Sequence, residues 1–169
     1  LSTPAHVRIE LQSNPLYLCG VRDMVSSVAR RLGLGEPAAA QIALALDEAL
    51  CNVIRHGYDR RKDQPIVVEL TPIGPAERAE GLRVVIEDRG RQVEPEAIKG
   101  RDLADIRPGG LGVHIIREVM DSVVYERLPE VGMRLTMEKR AGIGDRGLGP
   151  GGDRGGCGGR GAASPGSAA

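Results

Sequence analysis

Three groups of residues in this 169-residue chain have the types and spacing to do chemistry. Glu48 and Asn52 stand four apart in an apolar-periodic stretch from Pro37 to His56, which reads as a helix stopped by Gly57. Each helical residue turns by about 100°, so carboxylate and amide lie side by side, on a different face from Ile42, Leu46, Ala49 and Val53. A carboxylate takes a proton from an attacking hydroxyl or water, and an amide oxygen is a hard ligand suited to magnesium. Spacing alone favours a plainer reading, a polar helix face in water. The run Val84-Val85-Ile86-Glu87-Asp88-Arg89-Gly90 is an apolar strand ending in a carboxylate and a glycine. Asp88 there can accept a hydrogen bond from an amino group while Gly90 lets a flat ligand come close, although an ordinary Asp/Gly turn has the same composition.

The third group is Gly109-Gly110-Leu111-Gly112, ahead of a helical pattern carrying Leu111, Ile115, Ile116 and Val119. Glycines at a helix N-terminus, here Gly110 and Gly112, expose free N–H groups and the positive end of the dipole, a site for phosphate. No Gly-Lys-Ser/Thr follows, so it is not a Walker loop, and a flexible connector has the same look. Arg107, just upstream, adds a cation for phosphates or is a solvated loop residue. His56 is expected to meet the last carbonyls of its helix, and Cys51 to pack. No Asp or Ser partner for a hydrolase triad is identifiable.

The elements that must position these groups follow from periodicity. His6 to Leu11 alternates as a strand, and Asn14 with Pro15 opens an amphipathic helix (Leu18, Val21, Val25, Val28, Leu32) ending at Gly33. The helix from Pro37 comes next, then strands at Ile66 to Leu70 and Leu82 to Glu87. An irregular stretch from about Arg89 to Pro108 leads to the glycine-started helix, and strands at Val123 to Arg127 and Met133 to Lys139 close the series. The order β-α-α-β-β-loop-α-β-β describes a two-layer α/β sandwich with a mixed, largely antiparallel sheet.

Composition narrows the function classes. With 23 basic and 23 acidic residues no global field draws the chain to nucleic acid or to an anionic membrane. Three cysteines without metal-ligand spacing suggest neither a disulfide framework nor a zinc site, and a reducing cytoplasm fits best. No apolar run is read as a membrane span, and no export signal is legible at the N-terminus. The only aromatics are Tyr17, Tyr58 and Tyr125, too few for base-stacking platforms. Residues 141–169 hold 12 of the 24 glycines and are expected to be a disordered Gly-rich tail, which leaves a folded domain at 1–140.

Taken together, the three groups resemble a known family. The stretch from Ile42 to Tyr58 is similar to the N box of anti-sigma-factor serine/threonine kinases. Val84–Gly90 resembles their adenine-binding box, Gly109–Asp121 their second glycine box, and Gly132–Arg140 their last strand. The resemblance spans about 6–140 and implies the Bergerat-type fold of the histidine-kinase-like ATPase superfamily, with ATP and Mg2+ as cofactors. It implies Glu48 as the general base, Asn52 as the magnesium ligand, Asp88 and Gly90 at adenine, and Gly110, Gly112 and Arg107 at the phosphates. Residues 91–108 would form the ATP lid, without the second glycine common after Asp-x-Gly, and Met133 replaces a frequent Thr or Asn. The partners implied are a sigma factor and an anti-sigma-factor antagonist as protein substrate, within a homodimer using the first strand and helix. A non-catalytic nucleotide-gated binding module is the main alternative. The catalytic half of a sensor histidine kinase is another, which needs an upstream phospho-acceptor histidine.

Overall fold

The structure, a computed structural model, describes residues 5–98 and 111–142. Five strands form one sheet: β1 (Val7–Gln12), β2 (Pro65–Ile73), β3 (Gly81–Asp88), β4 (Ser122–Arg127) and β5 (Met133–Arg140), in the spatial order β1-β2-β3-β5-β4. Every neighbouring pair is antiparallel, so the expected parallel component is absent among the described residues. The reason is an insertion. β3 and β4 run in the same direction and are joined through a helical connection, but β5 folds back between them and separates them. The split leaves every ladder antiparallel.

Alternation along the strands decides which face is covered. Ile66, Val68 and Leu70 of β2, Leu82, Val84 and Ile86 of β3, and Leu135 and Met137 of β5 turn inward. The other face carries Val67, Val85 and Val124 among charged pairs, with Arg8 paired to Glu69, Arg83 to Glu138 and Arg134 to Glu87 across adjacent strands. Three helices cover the apolar face: α1 (Leu18–Arg31), α2 (Glu36–Asn52) and α3 (Leu111–Val119). One aliphatic core results, and its center is α2: Ile42, Leu46 and Leu50 are fully buried against sheet residues from β2, β3 and β5. Burial of side chains of this size is worth about 1.5–3 kcal/mol each, and it fixes the rotation of α2 and the direction of its polar face.

The ends of the elements depart from the sequence reading. Asn14 accepts from the Leu16 N–H at 3.1 Å and so caps a 3-10 turn (Pro15–Tyr17) rather than α1 itself. Gly33, with φ +85, ends α1 as expected. α2 does not run as an α-helix to His56. It ends at Asn52 and continues as one π turn, Val53–Gly57, in which the Tyr58 N–H reaches the Val53 carbonyl at 3.0 Å. Ile54, rather than Val53, is the residue of that turn that enters the core. The stretch Glu36–Gly57 also has the length and mean hydropathy, 1.2, of a membrane-crossing helix, which the sequence reading had not found. It is the core helix here, half buried between the other helices and the sheet. On α3, Ile116 is the buried anchor and Leu111 is exposed, because the helix touches the core along a narrow stripe.

Candidate functional site

Glu48 and Asn52 stand one turn apart on the partly exposed face of α2, with Ala49 and Leu50 on its buried side. The first turn of α3 lies directly over them. A Cβ on Gly112 would sit 2.6 Å from Glu48 Oε2 and 3.3 Å from Asn52 Nδ2. Only a residue without a side chain brings the α3 N-terminus this close to the carboxylate and the amide. Asn52 Nδ2 is buried and has no hydrogen-bond partner among the described residues. An unmet buried donor costs about 1–3 kcal/mol, and an acceptor brought by a ligand would satisfy it. A phosphate oxygen fits it, and the oxygen of the same carboxamide is a hard donor suited to magnesium. The sequence therefore placed Glu48 with Asn52 in one reading and Gly112 in another, and the fold brings the two into one contact.

At the other end of the π turn, Asp88 finishes β3 at 6% exposure. The backbone N–H of Gly90 donates to its Oδ1 at 2.7 Å, and that of Met133 also bonds the carboxylate. Burial pushes the Asp88 carboxyl above its ordinary range, and the two N–H donors pull it only part of the way back. Two donors leave a carboxylate with acceptor capacity for an amino group. Met133 thus serves through its main chain, while its side chain is buried. Gly90 has a different requirement from close approach of a ligand. A Cβ there would lie 2.6 Å from the Gly57 carbonyl oxygen, and the Arg91 N–H donates to that same oxygen at 3.0 Å. Gly57 is therefore a packing partner of Gly90 rather than a helix stop in the left-handed region. It also carries the contact from α2 to Asp88, since a Cβ on Gly57 would sit 3.7 Å from Asp88 Oδ1.

The sequence reading missed Tyr58 and Gln92. Tyr58 is buried, its hydroxyl accepts from the Arg89 N–H at 2.6 Å, and it donates to the Pro65 carbonyl. The signal was present: one of only three aromatics in a chain with no Phe or Trp, directly after a glycine of the motif. Gln92 stands where the sequence lacks a second glycine. Its Nε2 donates to the carbonyls of Leu128 and Gly132 while Arg127 donates to its Oε1, so the segment leaving Gly90 is tied to the β4–β5 turn. Arg127 also pairs with Glu94, and Arg117 Nη2 donates to the Ile98 carbonyl at 3.0 Å. Arg107, Gly109 and Gly110 lie outside the described residues, as does the part of the expected lid from 99 on and the tail from 143. His56 is exposed and makes no side-chain hydrogen bond to described residues, contrary to the expected contact with terminal carbonyls. Cys51 packs half-buried against the core, and burial raises its thiol pKa, which leaves it the less reactive thiol form.

Comparison with known proteins gives consistent matches. The family model described as histidine kinase-like ATPase domain matches residues 11–139. A serine-protein kinase RsbW from Listeria monocytogenes serovar 1/2a is 28% identical over 125 residues, covering 69% of this chain and 76% of that protein. Serine-protein kinase RsbW from Oceanobacillus iheyensis is 24% identical over 147 residues, covering 82% and 89%. Among solved structures, the RsbU and RsbW domains of Rv1364c from Mycobacterium tuberculosis match with a TM-score of 0.55 at 19% identity. That match covers 82% of this chain and 32% of that one, and it speaks for the fold.

Proposed function

The chain belongs to the histidine kinase-like ATPase domain family, and from that premise we propose that it is an ATP-dependent serine/threonine protein kinase acting as an anti-sigma factor. It binds a sigma factor and phosphorylates an anti-sigma-factor antagonist, as a cytoplasmic homodimer whose folded part ends near residue 140. The single observation that carries the kinase reading is the meeting of Glu48, Asn52 and Gly112, with the buried Asn52 donor unpartnered among the described residues.

In this reading Glu48 is the general base that accepts the proton of the substrate hydroxyl as it attacks the terminal phosphorus. Asn52 holds the phosphates, directly and as the protein ligand of Mg2+. Magnesium is commonly held by one or two protein ligands together with substrate phosphates and water, and Asn52 would be such a ligand. Bound there, the ion supplies neutralisation of phosphate charge. Gly112 in the first turn of α3, together with Gly110 and Arg107 as the family resemblance implies, binds the phosphates. Asp88 accepts from the adenine amino group at the far end. Phosphoryl transfer needs positioning and electrostatic stabilisation more than covalent chemistry, and these residues supply both.

The test is titration of ATP into the full chain with and without magnesium, beside Asn52→Ala and Asp88→Asn, followed by phosphotransfer to a candidate antagonist. Magnesium-dependent binding lost in both variants, with transfer to a serine or threonine, supports the reading. A well-folded wild type that binds no ATP overturns it and leaves a nucleotide-independent binding module.

A further inference from the structure

The β2–β3 ladder stops at the pair Ile66 and Asp88. Continued by one step it would join Pro65 to Arg89. No direct backbone bond is made there. The Tyr58 hydroxyl instead bonds both groups, accepting from the Arg89 N–H at 2.6 Å and donating to the Pro65 carbonyl. A side chain from the end of the π turn has taken the place of a ladder bond at the point where β3 leaves the sheet. The phenol is 1% exposed, and burial raises its pKa, so it keeps the proton that it donates to Pro65.

Fixing the Arg89 N–H fixes the peptide plane between Asp88 and Arg89, and with it the direction in which the Asp88 carboxylate leaves the strand. We infer that Tyr58 is a positioning residue for base recognition: its hydroxyl aims Asp88 at the adenine and has no part in holding the phosphates. The inference rests on the kinase reading above for the identity of the ligand. Geometry supports the division of labour. Tyr58 lies at the Asp88 end of the π turn, whereas Glu48, Asn52 and Gly112 meet on the α2 side of it.

The experiment compares Tyr58→Phe with the wild-type chain for magnesium-dependent binding of ATP, GTP and inorganic tripolyphosphate. The expected result is ATP binding weakened by about tenfold, the size of a lost hydrogen bond at the upper end of its range. Tripolyphosphate affinity stays unchanged and the preference for ATP over GTP shrinks. Equal weakening of ATP and tripolyphosphate would mark a general structural role and overturn the inference, as would unchanged ATP binding. A wild-type chain that binds no nucleotide sinks the kinase reading and this inference with it, an outcome visible before any variant is compared. Should Tyr58→Phe not fold, hydrogen exchange on the wild type decides. ADP slows exchange of the Arg89 amide and tripolyphosphate does not if the inference holds; equal slowing, or none, overturns it.

Discussion

Gly112 and Glu48 touch so closely that a single methyl group on the glycine would fall 2.6 Å from the carboxylate oxygen. The contact joins the start of α3 to the polar face of α2, and it makes Gly112→Ala an informative change. The carboxylate is the end of a flexible side chain, so Glu48 swings away and the fold survives. Alanine is the better helix former by up to about 1 kcal/mol, so thermal stability is maintained or rises. Phosphotransfer, by contrast, falls about 10²- to 10⁴-fold, the usual worth of a positioned general base. Melting curves and a transfer assay on the same sample check both halves.

Gly132 provides the contrast. Its φ is +90, and a Cβ would lie 1.9 Å from the Asp88 carbonyl oxygen, a backbone atom that cannot turn aside. Gly132→Ala is expected to cost more than about 2 kcal/mol in stability, with ATP binding lost along with the fold of the β4–β5 turn. Denaturant unfolding measures the cost; a loss below about 0.5 kcal/mol contradicts the geometry.

Glu48→Gln keeps the size and the neighbours of the side chain and removes its ability to take a proton. ATP affinity should change less than about threefold while phosphotransfer drops about 10²-fold or more. Calorimetry set beside single-turnover transfer separates the two. Parallel loss of both would place Glu48 in binding rather than in proton transfer.

Asp88 predicts a pH dependence. Its folded carboxyl titrates above the ordinary 3.8, so the folded state holds the proton more tightly than the unfolded one. Stability therefore falls as pH rises through the window from 3.8 up to the raised folded value, and the penalty is complete above it. Asp88→Asn removes the charge and still offers an oxygen to the Gly90 and Met133 N–H groups. Its melting temperature should exceed that of the wild type at neutral pH, with the difference closing below the unfolded carboxyl's range. Adenine recognition is lost in the same variant.

Gln92 ties the first arm beyond Gly90 to the carbonyls of Leu128 and Gly132. Gln92→Ala removes the side-chain donor from the Leu128 carbonyl, leaves the Gly132 carbonyl with the Leu128 N–H alone, and frees Arg127 from its amide oxygen, at a cost of about 1 kcal/mol. Amide exchange across residues 91–98 should quicken while that of β2 and β3 stays slow. Unchanged exchange in the arm would mean that Arg127–Glu94 and Arg117–Ile98 hold it without Gln92.

Much of this was legible in the sequence because it depends on neighbours along the chain. Periodicity alone gave the three helices, the five strands and the inward residues Ile42, Leu46 and Ala49, and helical spacing put Glu48 beside Asn52. The strand ending in Asp88 and the glycines before α3 were visible as local signals. Read separately, each had a plainer explanation, and their resemblance to one family rested on the order of the three.

Tertiary structure decided what those local signals could not. A π turn is rare and carries no local signal in the sequence, and the one at Val53–Gly57 accompanies the long-range bond from the Arg91 N–H to the Gly57 carbonyl. The wholly antiparallel sheet followed from β5 entering between β3 and β4, a choice made by strands far apart in sequence. The bonds of Tyr58 to Arg89 and of Gln92 to Leu128 and the contact of Gly112 with Glu48 join residues 31 or more apart in sequence, set by how the layers pack. The sequence by itself determined which residues could do chemistry and on which faces they stand. Only packing decided which of them meet, because burial and close contact are properties of surfaces that come together after the local structure has formed.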